Sequence, residues 1–148
     1  MIMRARHAPV EILLVEDNPG DVDLMREAFR ESSIPNRITV AVDGEQALAF
    51  LRAEVGTCPD FVVLDLNLPK MDGLEVLAEM KADPRLRSIP VVIFSSSEAE
   101  RDLAQAYQLH ANCFVTKAVD LRGFLDAVKS IADFWMANAK LPPRAWGR

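Results

Sequence analysis

Glu16 and Asp17 follow one apolar run of this 148-residue chain, Asp65 ends a second run, and Lys117 follows a third. Adjacent parallel strands lie about 4.8 Å apart, so neighbouring runs would gather the three carboxylates into one small space. Carboxylates that close repel, and a hard divalent cation relieves the repulsion. Mg2+ suits such a site because it accepts a couple of carboxylates and a carbonyl while keeping several waters for exchange with phosphate oxygens. Asp65 closes the most apolar run, Phe61-Val62-Val63-Leu64, which predicts a rigid backbone and an aimed carboxylate. A fixed carboxylate can attack phosphorus to form an aspartyl phosphate, and the transition state then needs electrostatic stabilisation of its oxygens. Lys117 offers a fixed cation, Ser95 or Ser96 a hydroxyl donor, and the main chain after Asp65 further N–H groups. Taken singly, each group has a plainer role: acidic pairs after strands start helices, lysines are solvated, and serines such as Ser97 cap helices. The third carboxylate shifts the balance toward chemistry.

The elements that must position these groups are legible as five short apolar runs, at 11–16, 38–42, 61–66, 91–94 and 113–116. They have strand length, and most are continuously apolar, as strands covered on both faces are. Each is followed by a helical pattern. Val22, Met25 and Phe29 recur at i, i+3, i+7 in the first helix; Leu103, Ala106, Tyr107 and His110 recur at i, i+3, i+4, i+7 in the fourth. Asn18-Pro19 marks a helix start, and Asp43/Gln46, Asp72/Glu75 and Ser97/Glu100 have capping-box spacing. Strand–helix alternation of this kind implies an α/β fold, a doubly wound five-stranded parallel sheet with five helices. Its functional crevice lies beyond the carboxyl ends of the strands, which selects Glu16, Asp17, Asp65, Asn67, Ser95, Ser96 and Lys117.

The last helix is expected over 121–139, with Leu121, Phe124, Leu125, Val128, Ile131, Ala132 and Trp135 as its core stripe. Phe134 and Met136 fall off that stripe, and the tail adds Trp146, so a partner contact stands evenly against packing within the domain. The organisation expected is a flexible arm at 1–9, one domain at 10–139 and a tail at 140–148, with no effector domain beyond it.

There are 17 Lys+Arg against 22 Asp+Glu, a net charge of −5, and no concentrated basic face to neutralise phosphates, which disfavours nucleic acid as partner. No run nears the ~20 apolar residues of a membrane span, and Arg4, Arg6 and His7 precede no signal-peptide core. Cys58 and Cys113 lack companions at zinc spacing; Cys113 is expected buried in the fifth strand and Cys58 in a loop. His7 falls in the arm and His110 at the end of the fourth helix, where a helix dipole favours a cation. A reducing cytoplasm fits this composition.

Together, Leu14-Val15-Glu16-Asp17-Asn18, Asp65-Leu66-Asn67-Leu68-Pro69 with Met71-Asp72-Gly73, Ile89-Pro90 leading into 91–95, and Phe114-Val115-Thr116-Lys117 resemble the receiver domain of two-component response regulators. The resemblance spans about 10–135 and implies a flavodoxin-like strand order 2-1-3-4-5. It implies Asp65 as phosphoacceptor, Glu16 and Asp17 as Mg2+ ligands directly or through water, and Asn67 as a ligand through its carbonyl. It further implies Ser95 as switch hydroxyl, Phe114 as switch aromatic and Lys117 as phosphate partner. Residues 109–114 and 131–135, with Leu141-Pro142, are similar to the small receivers serving bacterial phytochrome histidine kinases. That similarity implies a light-regulated kinase as donor and a homodimer through the fourth helix, fifth strand and fifth helix. Two positions depart from the pattern: Ala118 stands where receivers carry a proline, so a trans bond is expected there, and Glu16 stands where many have Asp.

Other classes fit less well. Aspartate-nucleophile phosphohydrolases carry a second Asp two residues after the first, where this chain has Asn67, and no cap domain for a substrate is evident. A flavin or nucleotide module would need glycines absent from Asp17-Asn18-Pro19-Gly20. A receiver-like binding module that works without phosphorylation is the alternative that keeps every motif.

Overall fold

A computed structural model describes residues 8–53 and 58–144. Arg4, Arg6, His7 and Trp146 therefore lie outside the described residues. The elements alternate as β1 (Val10–Val15), α1 (Pro19–Arg30), β2 (Asn36–Ala41), α2 (Gly44–Arg52), β3 (Phe61–Leu64), α3 (Gly73–Ala82), β4 (Val91–Ser95), α4 (Glu100–Gln108), β5 (Cys113–Thr116) and α5 (Leu121–Ala132). The strands form one parallel sheet in the order β2-β1-β3-β4-β5, so the expected doubly wound fold and strand order are both found. Strand bounds differ from the apolar runs by one or two residues.

The two faces of the sheet carry separate cores. Leu13, Val15, Val62, Leu64, Val91 and Ile93 pack beneath α2 and α3 with Leu48, Leu51, Leu77 and Met80. Ile12, Leu14, Phe61, Val63, Val92 and Phe94 face α1 and α5 with Met25, Phe29, Phe124 and Val128. The central strands β3 and β4 are buried throughout, as continuous apolar runs require, whereas the edge strand β2 alternates in burial because only one face is covered.

Several helix expectations are corrected. Asp72 and Glu75 do form the reciprocal capping box, but Gln46 accepts from the N–H of Val42 rather than from that of the cap residue Asp43. Ser97 does not cap α4: its hydroxyl donates to the Asp102 carboxylate at 2.6 Å, a charge-assisted bond, and the helix starts at Glu100 after Ala99. Of the proposed α4 stripe only Ala106 is buried, because this small residue lets the helix backbone sit close to its neighbours; Leu103, Tyr107 and His110 are exposed. His110 takes the left-handed conformation, with φ 71°, in the turn after α4. There the N–H groups of His110 and Ala111 bond back to Tyr107 and Ala106 and satisfy the last carbonyls.

The final helix changes pitch. α5 is followed by a π-helical turn, Asp133–Asn138, whose wider winding rotates Met136 into the core and leaves Phe134 outside. Met136 is thus a core residue, contrary to its place on a regular helix, while Leu121 at the other end is exposed. Trp135 stacks on Phe61 with centroids 6.0 Å apart. Cys113 is only partly buried at the sheet edge, and Cys58 is the buried cysteine. Beyond the turn, Arg144 grips Asp60 through two bonds of 2.9 and 2.8 Å and reaches the Pro9 carbonyl at 3.2 Å. Asp60 also accepts the Glu11 N–H at 2.8 Å, so the tail is tied to the starts of β1 and β3.

Arg144→Ala should lower stability by about 1 to 2 kcal/mol, less than for a fully buried pair because the arginine is partly hydrated. Urea unfolding of the two proteins measures the difference, and equal midpoints and slopes would remove the stabilising role given to this strap.

Candidate functional site

The cleft lies where the sheet order reverses between β1 and β3. Beyond the strands the ladder runs one residue further: Asp65 N–H donates to Val15 at 3.1 Å, Glu16 N–H to Ala41 at 3.0 Å and Lys117 N–H to Ser95 at 2.9 Å. These bonds fix the backbone of each functional residue while leaving its side chain beyond the apolar sheet. Gly73 does the same from the α3 side. A Cβ there would collide with the Asp65 carbonyl oxygen and stand 2.7 Å from the Leu66 Cα, so only glycine lets α3 begin against this strand end.

Carboxylate oxygens of Glu16, Asp17 and Asp65 all lie within 4.8 Å of one another. The Lys117 ammonium stands among acids, donating to Glu16 at 2.7 Å, Asp21 at 2.9 Å and Asp65 at 3.2 Å. Its side chain passes over the Phe94 ring, 5.8 Å from the centroid. Burial alone would push the Lys117 pKa down, but the hydrogen bonds to Glu16 and Asp21 and the charges of Asp65 and Glu16 outweigh it and hold the group protonated. Glu16 is raised to about 7, first by burial and then by the charge of Asp65, against the lowering effect of Lys117 and the Asn18 N–H. An open cleft of about 780 Å³ is lined by Glu16, Asp17, Asp21, Asp65, Asn67 and Lys117.

The anticipated residues are thus brought together, with two exceptions. Ser95 is fully buried and its hydroxyl accepts the Ser97 N–H at 3.3 Å, while Ser96 lines the cleft. Phe114 is half-buried at the sheet edge, beside a hollow it shares with Leu103 and Thr116. No cis peptide occurs among the described residues, in line with the trans bond expected at Ala118. Asp21 escaped the sequence reasoning; the signal for it was its place one helical turn after Asp17, at the start of α1.

Oxygen donors of this number and spacing fit a hard divalent ion, since three acids face only one cation and Asp17 stays open to solvent. A doubly wound sheet with an acid trio, a strand-end aspartate and a facing lysine defines the class: residues 12–129 match the family model of the response regulator receiver domain, and the chain belongs to that family. Receivers of this family are phosphoacceptors that promote their own phosphorylation and dephosphorylation rather than turnover enzymes. Within it the chain is closely related to phytochrome response regulators. The phosphorylated cyanobacterial phytochrome response regulator RcpA is 46% identical, with a TM-score of 0.89 covering 92% of this chain and 100% of that one. Response regulator Rcp1 of Synechocystis sp. is 42% identical over 138 residues, 90% of this chain and 94% of its own length. The Mn2+-bound form of Rcp1 superposes with a TM-score of 0.87, covering 91% of this chain and 100% of that one at 41% identity. Among the described residues, no helix is long and apolar enough to cross a membrane.

The raised pKa of Glu16 has a stability consequence. The folded state binds this proton more tightly than the unfolded chain, whose carboxyl titrates near 4.5, so the contribution is full below that pH and lost as pH rises through about 7. In chelator, the melting temperature of the native protein relative to Glu16→Gln should fall between about pH 5 and about pH 8. A constant difference would contradict the burial argument.

Proposed function

We propose that the chain accepts a phosphoryl group on Asp65 from a sensor histidine kinase with Mg2+, and that the modification switches a protein-binding surface. The observation that carries this reading is the convergence of the Lys117 ammonium and the acid trio on Asp65 in one open cleft. An Asp65 carboxylate oxygen attacks the phosphorus of the phosphohistidine, the P–N bond breaks, and the imidazole leaves with the electron pair. Glu16 and Asp17, with the Asn67 carbonyl, would hold Mg2+, which when bound supplies positive charge to the phosphoryl oxygens. Lys117 neutralises a second oxygen from the opposite side.

The switch uses Ser95 and Phe114. The Ser95 hydroxyl accepts the Ser97 N–H at 3.3 Å, a long bond, and its own O–H is the donor that a phosphoryl oxygen would take. The loop after β4 then moves toward the cleft, and Phe114 turns into the space it leaves. The receiver unit takes in 10–139; most of the arm expected at 1–9 and the end of the tail expected at 140–148 lie outside the described residues. Kinship with RcpA and Rcp1 supports a phytochrome-linked kinase as the donor. Exposed Leu103 and Tyr107 on α4, and exposed Phe134 lining an apolar groove between β5 and the end of α5, support a homodimer through α4, β5 and α5. The net charge of −5 favours protein over nucleic acid as the partner.

Incubation with acetyl phosphate and Mg2+ followed by intact-mass measurement should add one phosphoryl group to the native chain and none to Asp65→Asn or to a chelated sample. An unmodified native chain would favour the phosphorylation-independent binding module instead. Sedimentation at micromolar concentration should show a dimer in the presence of beryllofluoride; a monomer with and without it would sink the dimer surface.

A further inference from the structure

Asp21 is a fourth acid in contact with the machinery, and its usual structural task is already done by another residue. It occupies the third position of α1, where an acidic side chain ordinarily reaches back to the N–H of the cap residue. Here the Asn18 N–H donates to Glu16 at 3.1 Å, and the Asp21 main-chain N–H is held by the Asn18 side chain at 3.0 Å. The Asp21 carboxylate is thereby free to take Lys117 at 2.9 Å.

An ammonium has three N–H donors, and Glu16, Asp21 and Asp65 occupy all three. An incoming phosphoryl oxygen can be met only if one acceptor lets go. Glu16 is 2% exposed and pinned through its other oxygen by Asn18, and Asp65 is 7% exposed and must keep its place to attack, whereas Asp21 is 25% exposed, so water can replace the lysine there at little cost.

We propose that Asp21 is a positioning residue for phosphoryl transfer, holding one Lys117 N–H in the resting state and surrendering it when the phosphoryl group arrives. It thereby slows phosphorylation, a brake set by one hydrogen bond. This rests on the phosphoacceptor reading given above. With acetyl phosphate as donor, the Asp65 oxygen attacks phosphorus, the bond between phosphorus and the acetate oxygen breaks, and acetate departs with the electron pair; no proton or further reactant is needed.

The test is the rate of adduct formation from acetyl phosphate at saturating Mg2+ for the native chain, Asp21→Asn, Asp21→Ala and Asp21→Glu. Asn and Ala should speed phosphorylation about three- to tenfold, and Glu, which keeps the charged acceptor, should restore the slower rate. The gain should persist at about 0.5 M salt, where a diffuse loss of repulsion toward the anionic donor would be screened away. Rates for Asn and Ala at or below that of the native chain, or a gain abolished by salt, would overturn the proposal. A native chain that takes no phosphoryl group overturns the phosphoacceptor reading and this one with it, whereas an Asp65-dependent adduct indifferent to Asp21 overturns this one alone.

Discussion

One ammonium group makes the carboxyl end of this sheet possible. The topology brings Glu16, Asp17 and Asp65 within 4.8 Å of one another at the edge of an apolar core, where like charges repel and the buried Glu16 also loses hydration. Lys117, itself largely shielded, offsets that cost by bonding two of these acids and Asp21. The compensation is incomplete, as the raised pKa of Glu16 records, and the residual negative charge is what makes the cleft receptive to a divalent cation.

The rest of the molecule serves this arrangement. Parallel pairing sets Glu16 beside Asp65 because β1 and β3 are neighbours in register, Val15 against Leu64. The pairing of β4 with β5 delivers Lys117 from the far side of the sheet through its bond to Ser95. The same bond ties the main chain of the buried serine to that of the lysine at the carboxyl ends of β4 and β5. Gly73 lets α3 close against the strand end without displacing it.

Much of this was legible in the amino-acid sequence because strand ends are marked by abrupt loss of apolar character. Leu64 to Asp65 and Val15 to Glu16 are such steps, and the strand order follows once the family pattern is seen at four places. What escaped were features decided by tertiary geometry. Met136 is core because the helix widens after Ala132, which a regular period cannot show. Ser97 failed as a cap because Asp102 offered its hydroxyl a charged partner. Asp21 has the place of a first-turn acid of α1 and drew no expectation, because only the fold reveals that Asn18 is already satisfied by Glu16 and that Lys117 is within reach.

The strap from Arg144 to Asp60 lies at the amino ends of β1 and β3, opposite the cleft. Six residues of β1 separate the two ends, roughly 20 Å at 3.3 Å per residue, more than twice the ~8 Å screening length of physiological salt. At that distance a charge gained at Asp65 reaches the strap with no more than about 1 kcal/mol at an effective dielectric of ~20. The same strands thus carry the acid trio at one end and the tail's ion pair at the other, two charged clusters separated by the full depth of the apolar core.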